Sequence, residues 1–175
     1  HTYHLDRFFN KKGGDSINSI LEWGGGYGNM AKISFEIFKN LNTYTIIDLP
    51  EFIVLQYIYL VSYFGEDNVR IIKSLDDIGE GINLIPVNVA MENDIQKHDM
   101  FISTWAISES SLTCQEYAEL KGFFDYDNSL ISYHQCGDHI PFMAESTILD
   151  NRLKDKGYQI EDIIIIPGIN YYAIK

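Results

Sequence analysis

Ser19-Ile20-Leu21-Glu22-Trp23-Gly24-Gly25-Gly26-Tyr27-Gly28 is the stretch that decides the fold. A short apolar run stops at a cluster of glycines, and a helical pattern starts at once: Met30, Ile33, Ile37, Phe38 and Leu41 recur at three- and four-residue spacing, as one buried helix face requires. Strand, glycine loop and helix in that order open a parallel α/β sheet, with the loop at the carboxyl end of the first strand.

Working outward, residues 43–47 are β-branched and aromatic, Asp48 closes them, and Pro50 sits where the first turn of a helix tolerates it. That helix ends near Gly65. Its apolar run, residues 52–64, is interrupted only by Gln56 and Ser62, so it reads as a buried helix; it falls short of the roughly 20 residues that span a bilayer. Residues 69–72 and 82–85 both have strand character, and the second is the better third strand of the sheet. Residues 99–104 form a further strand, and Thr113 with Glu116 makes a capping box for a helix to about Phe124. Residues 129–135 are again strand-like, and residues 141–156 read as a helix stopped by Gly157. Residues 159–166 and 169–174 are separated only by Pro167-Gly168, too short for a crossover, so they should pair antiparallel.

The expected fold class is therefore α/β: a doubly wound, mostly parallel seven-stranded sheet with a C-terminal antiparallel hairpin. Residues 17–175 form one domain. Residues 1–16 form an N-terminal lead-in, expected to be the remnant of a longer N-terminal region because the chain opens on His1 and not Met.

At 175 residues and 46% hydrophobic the chain can bury one core without disulfides. Cys114 and Cys136 have no metal-type spacing, and no basic-then-apolar leader is present, so a reducing cytoplasm is expected, with no membrane insertion. A net charge of -12 repels phosphate backbones and excludes nucleic acid as a partner.

The loop reads acidic-x-G-x-G-x-G. The dinucleotide spacing G-x-G-x-x-G fails, because Asn29 stands where Gly26 would need its third glycine and Trp23 precedes the Gly25–Gly28 pair. No Lys-Ser or Lys-Thr follows, which removes a Walker loop. Asp48, at the end of the second strand, is where a carboxylate accepts hydrogen bonds from both hydroxyls of an adenosine ribose, and Glu22 falls near the other end of such a ligand. Each feature has a plainer reading: a glycine loop is also a structural turn, and a strand-terminal Asp is also a helix cap.

Taken together, these elements resemble a class I S-adenosylmethionine-dependent methyltransferase. More narrowly, residues 20–28, 44–51 (Tyr-Thr-Ile-Ile-Asp-Leu-Pro-Glu), 55–60 and 99–109 resemble the sugar O-methyltransferases of bacterial surface-polysaccharide gene sets. The likeness runs over about residues 19–174. It implies that Gly24, Gly26 and Gly28 line the methionine and ribose part of S-adenosylmethionine, with Glu22 and Thr104 beside it. Asp48 would hold the ribose hydroxyls, Leu49 would pack on the adenine, and Asn88 would meet the adenine amino group. The implied activity is methylation of a sugar hydroxyl in surface-polysaccharide biosynthesis. The alternatives are a small phenolic or polyketide acceptor, or a non-catalytic methyltransferase-like binding module.

Methyl transfer to a hydroxyl is an in-line displacement that also removes one proton, so a base is expected near the fourth and fifth strand ends. Glu109, His134 and His139 are the candidates. Their plainer readings are an acidic first-turn residue, a buried structural histidine and a surface-loop histidine. His134, Asp138 and His139 also admit a metal reading, but their spacing matches no ligand pattern, and no metal is expected. Trp105, Tyr133 and Phe142 are aromatics able to stack on a sugar face. The expected partner is a small-molecule or glycan acceptor, with a second copy of the chain as a candidate homodimer partner.

Overall fold

A computed structural model describes residues 1–134, 146–165 and 170–175. Helix α1 (Thr2–Lys12) leads into β1 (Ser19–Trp23), α2 (Asn29–Ile37), β2 (Thr43–Asp48) and α3 (Pro50–Phe64). Then come β3 (Val69–Ile71), β4 (Gly81–Pro86), α4 (Val87–Glu92), β5 (Met100–Thr104), α5 (Ala106–Glu109) and α6 (Leu112–Leu120). The chain closes with β6 (Ser129–His134), α7 (Ser146–Asp155), β7 (Gln159–Asp162) and β8 (Asn170–Ile174).

The strands form one sheet in the order β3-β4-β2-β1-β5-β6-β8-β7. All neighbours from β3 to β6 are parallel, while β8 runs antiparallel to both β6 and β7. The sheet is doubly wound and mostly parallel, as expected, but has eight strands and not seven. Both strand-like segments after α3 join it, because Val69–Ile71 adds to the outer edge of β4 with Val69 opposite Ile82.

Strand residues alternate between two cores, as the period of two dictates. Ile20, Ile46, Leu84 and Ile102 pack with Leu5 and Phe8 of α1, Met30 of α2 and Leu60 of α3. Leu21, Ile47, Ile85, Phe101 and Ile131 pack with Ala118 of α6 and Leu149 and Leu153 of α7. Residues 1–16 thus contribute a helix built into the first core. Its far side meets the last strands: His4 Nδ1 lies 2.5 Å from the Tyr172 hydroxyl, and Arg7 and Lys11 both pair with Glu161.

Three local expectations change. Helix α6 is capped by Ser111, whose Oγ accepts from the Cys114 amide at 3.3 Å, and not by Thr113; Ser111 sits one residue before the first helical turn, where the free amides point. Helix α3 forms with Pro50 in its first turn and Gly65 (φ 83) past its end, but it is not buried all round. Ile53, Gln56 and Leu60 face the sheet, whereas Val54, Leu55 and Ile58 are exposed, because a helix laid on one face of a sheet has one face to bury. Strand β7 ends at Asp162, so the hairpin connection is longer than Pro167-Gly168. Among the described residues no helix is long and apolar enough to cross a membrane. The expected helix start at Pro141 and the stacking candidate Phe142 lie outside the described residues.

Candidate functional site

The strand order reverses at β1, which has β2 on one side and β5 on the other. Ligands of open α/β sheets bind where such a reversal leaves a crevice at the carboxyl ends. A cavity of about 560 Å³ lies there, within the range of ordinary small-molecule sites. Trp23, Gly24 and Gly26 line it from the glycine loop, Ile47, Asp48, Leu49 and Phe52 from the end of β2 and the start of α3. Val87 and Met91 of α4 form another wall. Thr104, Ala106, Glu109, Ser110 and Cys114 complete it from the end of β5 to α6.

The loop leaves β1 with the Gly24 amide donating to the Ile47 carbonyl at 2.9 Å, and Gly28 caps α2 in the left-handed region at φ 95. Beneath the loop, Ser103 Oγ donates to the Trp23 carbonyl at 3.1 Å and accepts from the Ile107 amide at 3.2 Å. The ends of β1 and β5 are thereby tied to α5.

Asp48 is the best-organised group in the cavity. Its Oδ1 accepts from the Leu49 amide at 2.8 Å and its Oδ2 from Gln56 Nε2 at 2.7 Å. Burial raises its pKa, and the bonds from Leu49 and Gln56, with the amides of Gly25 and Gly26, pull the other way. A charge held by oriented donors in a partly apolar cleft suits a ligand that offers hydroxyl donors.

The other expected site residues divide. Gly24, Gly26, Asp48, Leu49, Thr104 and Glu109 line the cavity. Glu22 does not. It is 1% exposed, facing the first core beneath the loop, where the Tyr44 hydroxyl donates to its Oε2 at 2.9 Å. Burial pushes its pKa up to about 8, so at neutral pH it is mostly protonated. Gly28 stands behind the loop with Leu60 against it. Asn88 is exposed on α4, one residue past Val87: Val87 and Met91, four apart, share the cavity face and turn Asn88 aside.

His134 ends β6, outside the cavity lining, with its ring 6.0 Å from that of Trp105. Trp105 has φ 70 and ψ -40, a strained conformation for a residue with a Cβ, and its amide donates to the Ser132 carbonyl at 2.7 Å. Thr104 and Ala106 face the cavity on either side of it, while the Trp105 ring lies 6.0 Å from His4. Asp138 and His139 lie outside the described residues. Among the described residues, no group of three or more His, Cys, Asp or Glu is placed to hold a metal ion.

Half of the lining residues not anticipated come from α3, α4 and α6 (Phe52, Val87, Met91 and Cys114), and the others are Trp23, Ile47, Ala106 and Ser110. Gln56 was also missed. Its signal was present, as an uncharged amide inside an otherwise apolar helix run.

No family model matches the chain, and neither does any curated protein. Solved structures do match in fold. An O-methyltransferase family protein from Burkholderia thailandensis aligns over 99% of this chain and 55% of its own, with a TM-score of 0.63 and 14% identity. PigF, solved with SAH, aligns over 97% and 53%, with a TM-score of 0.62 and 12% identity. The methyltransferase domain of the bacterial protein CtHen1 aligns over 97% of this chain and 94% of that domain, at 0.61 and 10%. The chain shares the fold of these three proteins and spans about half the length of the first two.

Proposed function

We propose that this chain is an S-adenosylmethionine-dependent O-methyltransferase domain whose acceptor is a sugar hydroxyl of a surface glycan or its precursor. The observation that carries the cofactor part is the oriented Asp48 carboxylate beside the glycine loop, in a cavity whose other walls are largely apolar. The donor set fits the cofactor: one carboxylate for two ribose hydroxyls, Leu49, Phe52, Ile47 and Val87 for a flat adenine, and a glycine loop that presents backbone to the remainder.

S-adenosylmethionine would supply a methyl group on a sulfonium centre. The chain's own work is alignment and proton removal. Asp48 and the loop fix the cofactor's position; Thr104, at the end of β5, and Glu109, at the end of α5, line the same cavity and are the groups offered to an acceptor hydroxyl. Glu109, with His134 or His139, takes the hydroxyl proton or orients the acceptor. Glu22, mostly neutral beneath the loop, supports it and does not contribute a full negative charge at neutral pH.

Calorimetry tests the cofactor reading. The chain should bind S-adenosylmethionine and S-adenosylhomocysteine, and Asp48→Ala should weaken both by about 1.5–3 kcal/mol, the worth of hydrogen bonds to a charged group. Unchanged affinity in the variant would place the ribose elsewhere, and no binding above the millimolar range would refute the reading. Acceptor screening tests the sugar: methylation of phenols but not of glycans would replace it with a small phenolic or polyketide acceptor.

A further inference from the structure

Gln56 is 0% exposed and does not line the cavity, yet it sits where the two halves of the candidate cofactor site meet. Its Nε2 donates to the Gly26 carbonyl at 2.9 Å and to Asp48 Oδ2 at 2.7 Å. One amide therefore links the glycine loop after β1 to the carboxylate at the end of β2. The orientation of the amide follows from its partners. Both are acceptors, so a flipped amide would set oxygen against two oxygens.

The same orientation leaves Gln56 Oε1 buried without a hydrogen-bond partner. A buried acceptor lacking a donor is unfavourable, and a Met or Leu would fill the place on α3 without it. Packing alone gives no reason for an amide between Ile53 and Leu60 on the sheet-facing side of this helix. The two donated bonds do give one.

We infer that Gln56 is a positioning residue for the cofactor's ribose, acting through Asp48: it holds Oδ2 in place and locks the loop at the distance the carboxylate requires. The inference rests on the cofactor reading above and adds a residue that never touches the ligand. Without the amide, Asp48 keeps the backbone donors of Leu49, Gly25 and Gly26 but loses its one side-chain donor on Oδ2, and the loop loses the bond to the Gly26 carbonyl.

The test pairs a residue change with a ligand change. S-adenosylhomocysteine and its 2′,3′-dideoxy analogue are titrated calorimetrically into the parent chain and Gln56→Met. The expected result is a loss of about tenfold or more for S-adenosylhomocysteine, the scale of one charge-assisted hydrogen bond, with little change for the dideoxy analogue. Gln56→Asn, whose shorter amide cannot reach both partners, should give the same pattern and guards against a failure of the Met variant to fold. Equal losses for both ligands would mean a merely structural role and would overturn the inference, as would unchanged affinity for S-adenosylhomocysteine. Failure of the parent chain to bind S-adenosylhomocysteine would instead strike at the cofactor reading itself.

Discussion

At about pH 8.5 the Glu22→Gln variant is expected to melt about 10 °C above the parent chain, and at about pH 5 the two should melt together. The parent holds Glu22 in the core with its pKa raised from 4.5 to about 8, chiefly by burial and opposed by the bond from Tyr44. The folded state therefore keeps a proton that the unfolded chain releases near pH 4.5. For a group whose folded pKa is raised, the contribution to stability is complete below the unfolded value and is lost as pH climbs through the folded one. Between these limits the parent loses on the order of 4 kcal/mol. Glutamine accepts from Tyr44 as the protonated acid does and never ionises. His4 and His98, whose pKa values burial lowers, shift stability with pH in the opposite sense, but they are common to both proteins and cancel in the difference. Thermal melts at several pH values measure it; a difference that stays flat from pH 5 to 8.5 would show that Glu22 is ionised in the folded chain.

The second large effect separates two glycines of one loop. Gly24→Ala is expected to destabilise the fold by about 3 kcal/mol or more, from backbone strain and overpacking together. Gly24 has φ 75, and a Cβ there would stand 2.0 Å from the Ala106 Cβ, at the start of α5, a methyl fixed to a helix backbone that has no rotamer to yield. Gly26 also has a positive φ, 57, but nothing lies within 4 Å of its missing Cβ. Gly26→Ala should therefore cost only the conformational part, about 1 kcal/mol. Urea unfolding of the two variants decides the matter, and equal losses would show that α5 moves aside.

Gly24 and Asp48 were legible because each sits at or just past a strand's carboxyl end, and strands are short enough for their ends to be read from local pattern; Glu109 was legible as a carboxylate following the fourth expected strand, and Leu49 and Thr104 only through the family resemblance. The walls contributed by Val87, Met91 and Cys114 were not. They come from separate helices, and which helical face turns inward depends on packing against a sheet whose order is not local information. Asn88 illustrates this: one step along α4 rotates a side chain by about a quarter turn or more, enough to take it out of the cavity. The eighth strand had a local signal, since residues 69–72 have strand character, but its place in the sheet was not local information: β3 joins because β4 offers it an unpaired edge. Ser111 and Thr113 carry the same hydroxyl, and only the path of the backbone distinguishes the capping residue.

The docking of α1 has a bearing on how the chain reaches this state. Helix α1 is made before every strand of the sheet, yet its buried partner Tyr172 lies in β8, 168 positions away in sequence from His4. β8, which must insert between β6 and β7, is also the last of these eight strands to be made. Until then α1 has only part of its seat, because the core that holds Leu5 and Phe8 lacks Tyr172 and Ile174 of β8. Contacts so distant in sequence are intrinsically slow to form. The nascent sheet is thus expected to stay open at β6 until β8 has been made, with chaperone binding concentrated on α1 and that edge, and then to close in a single step.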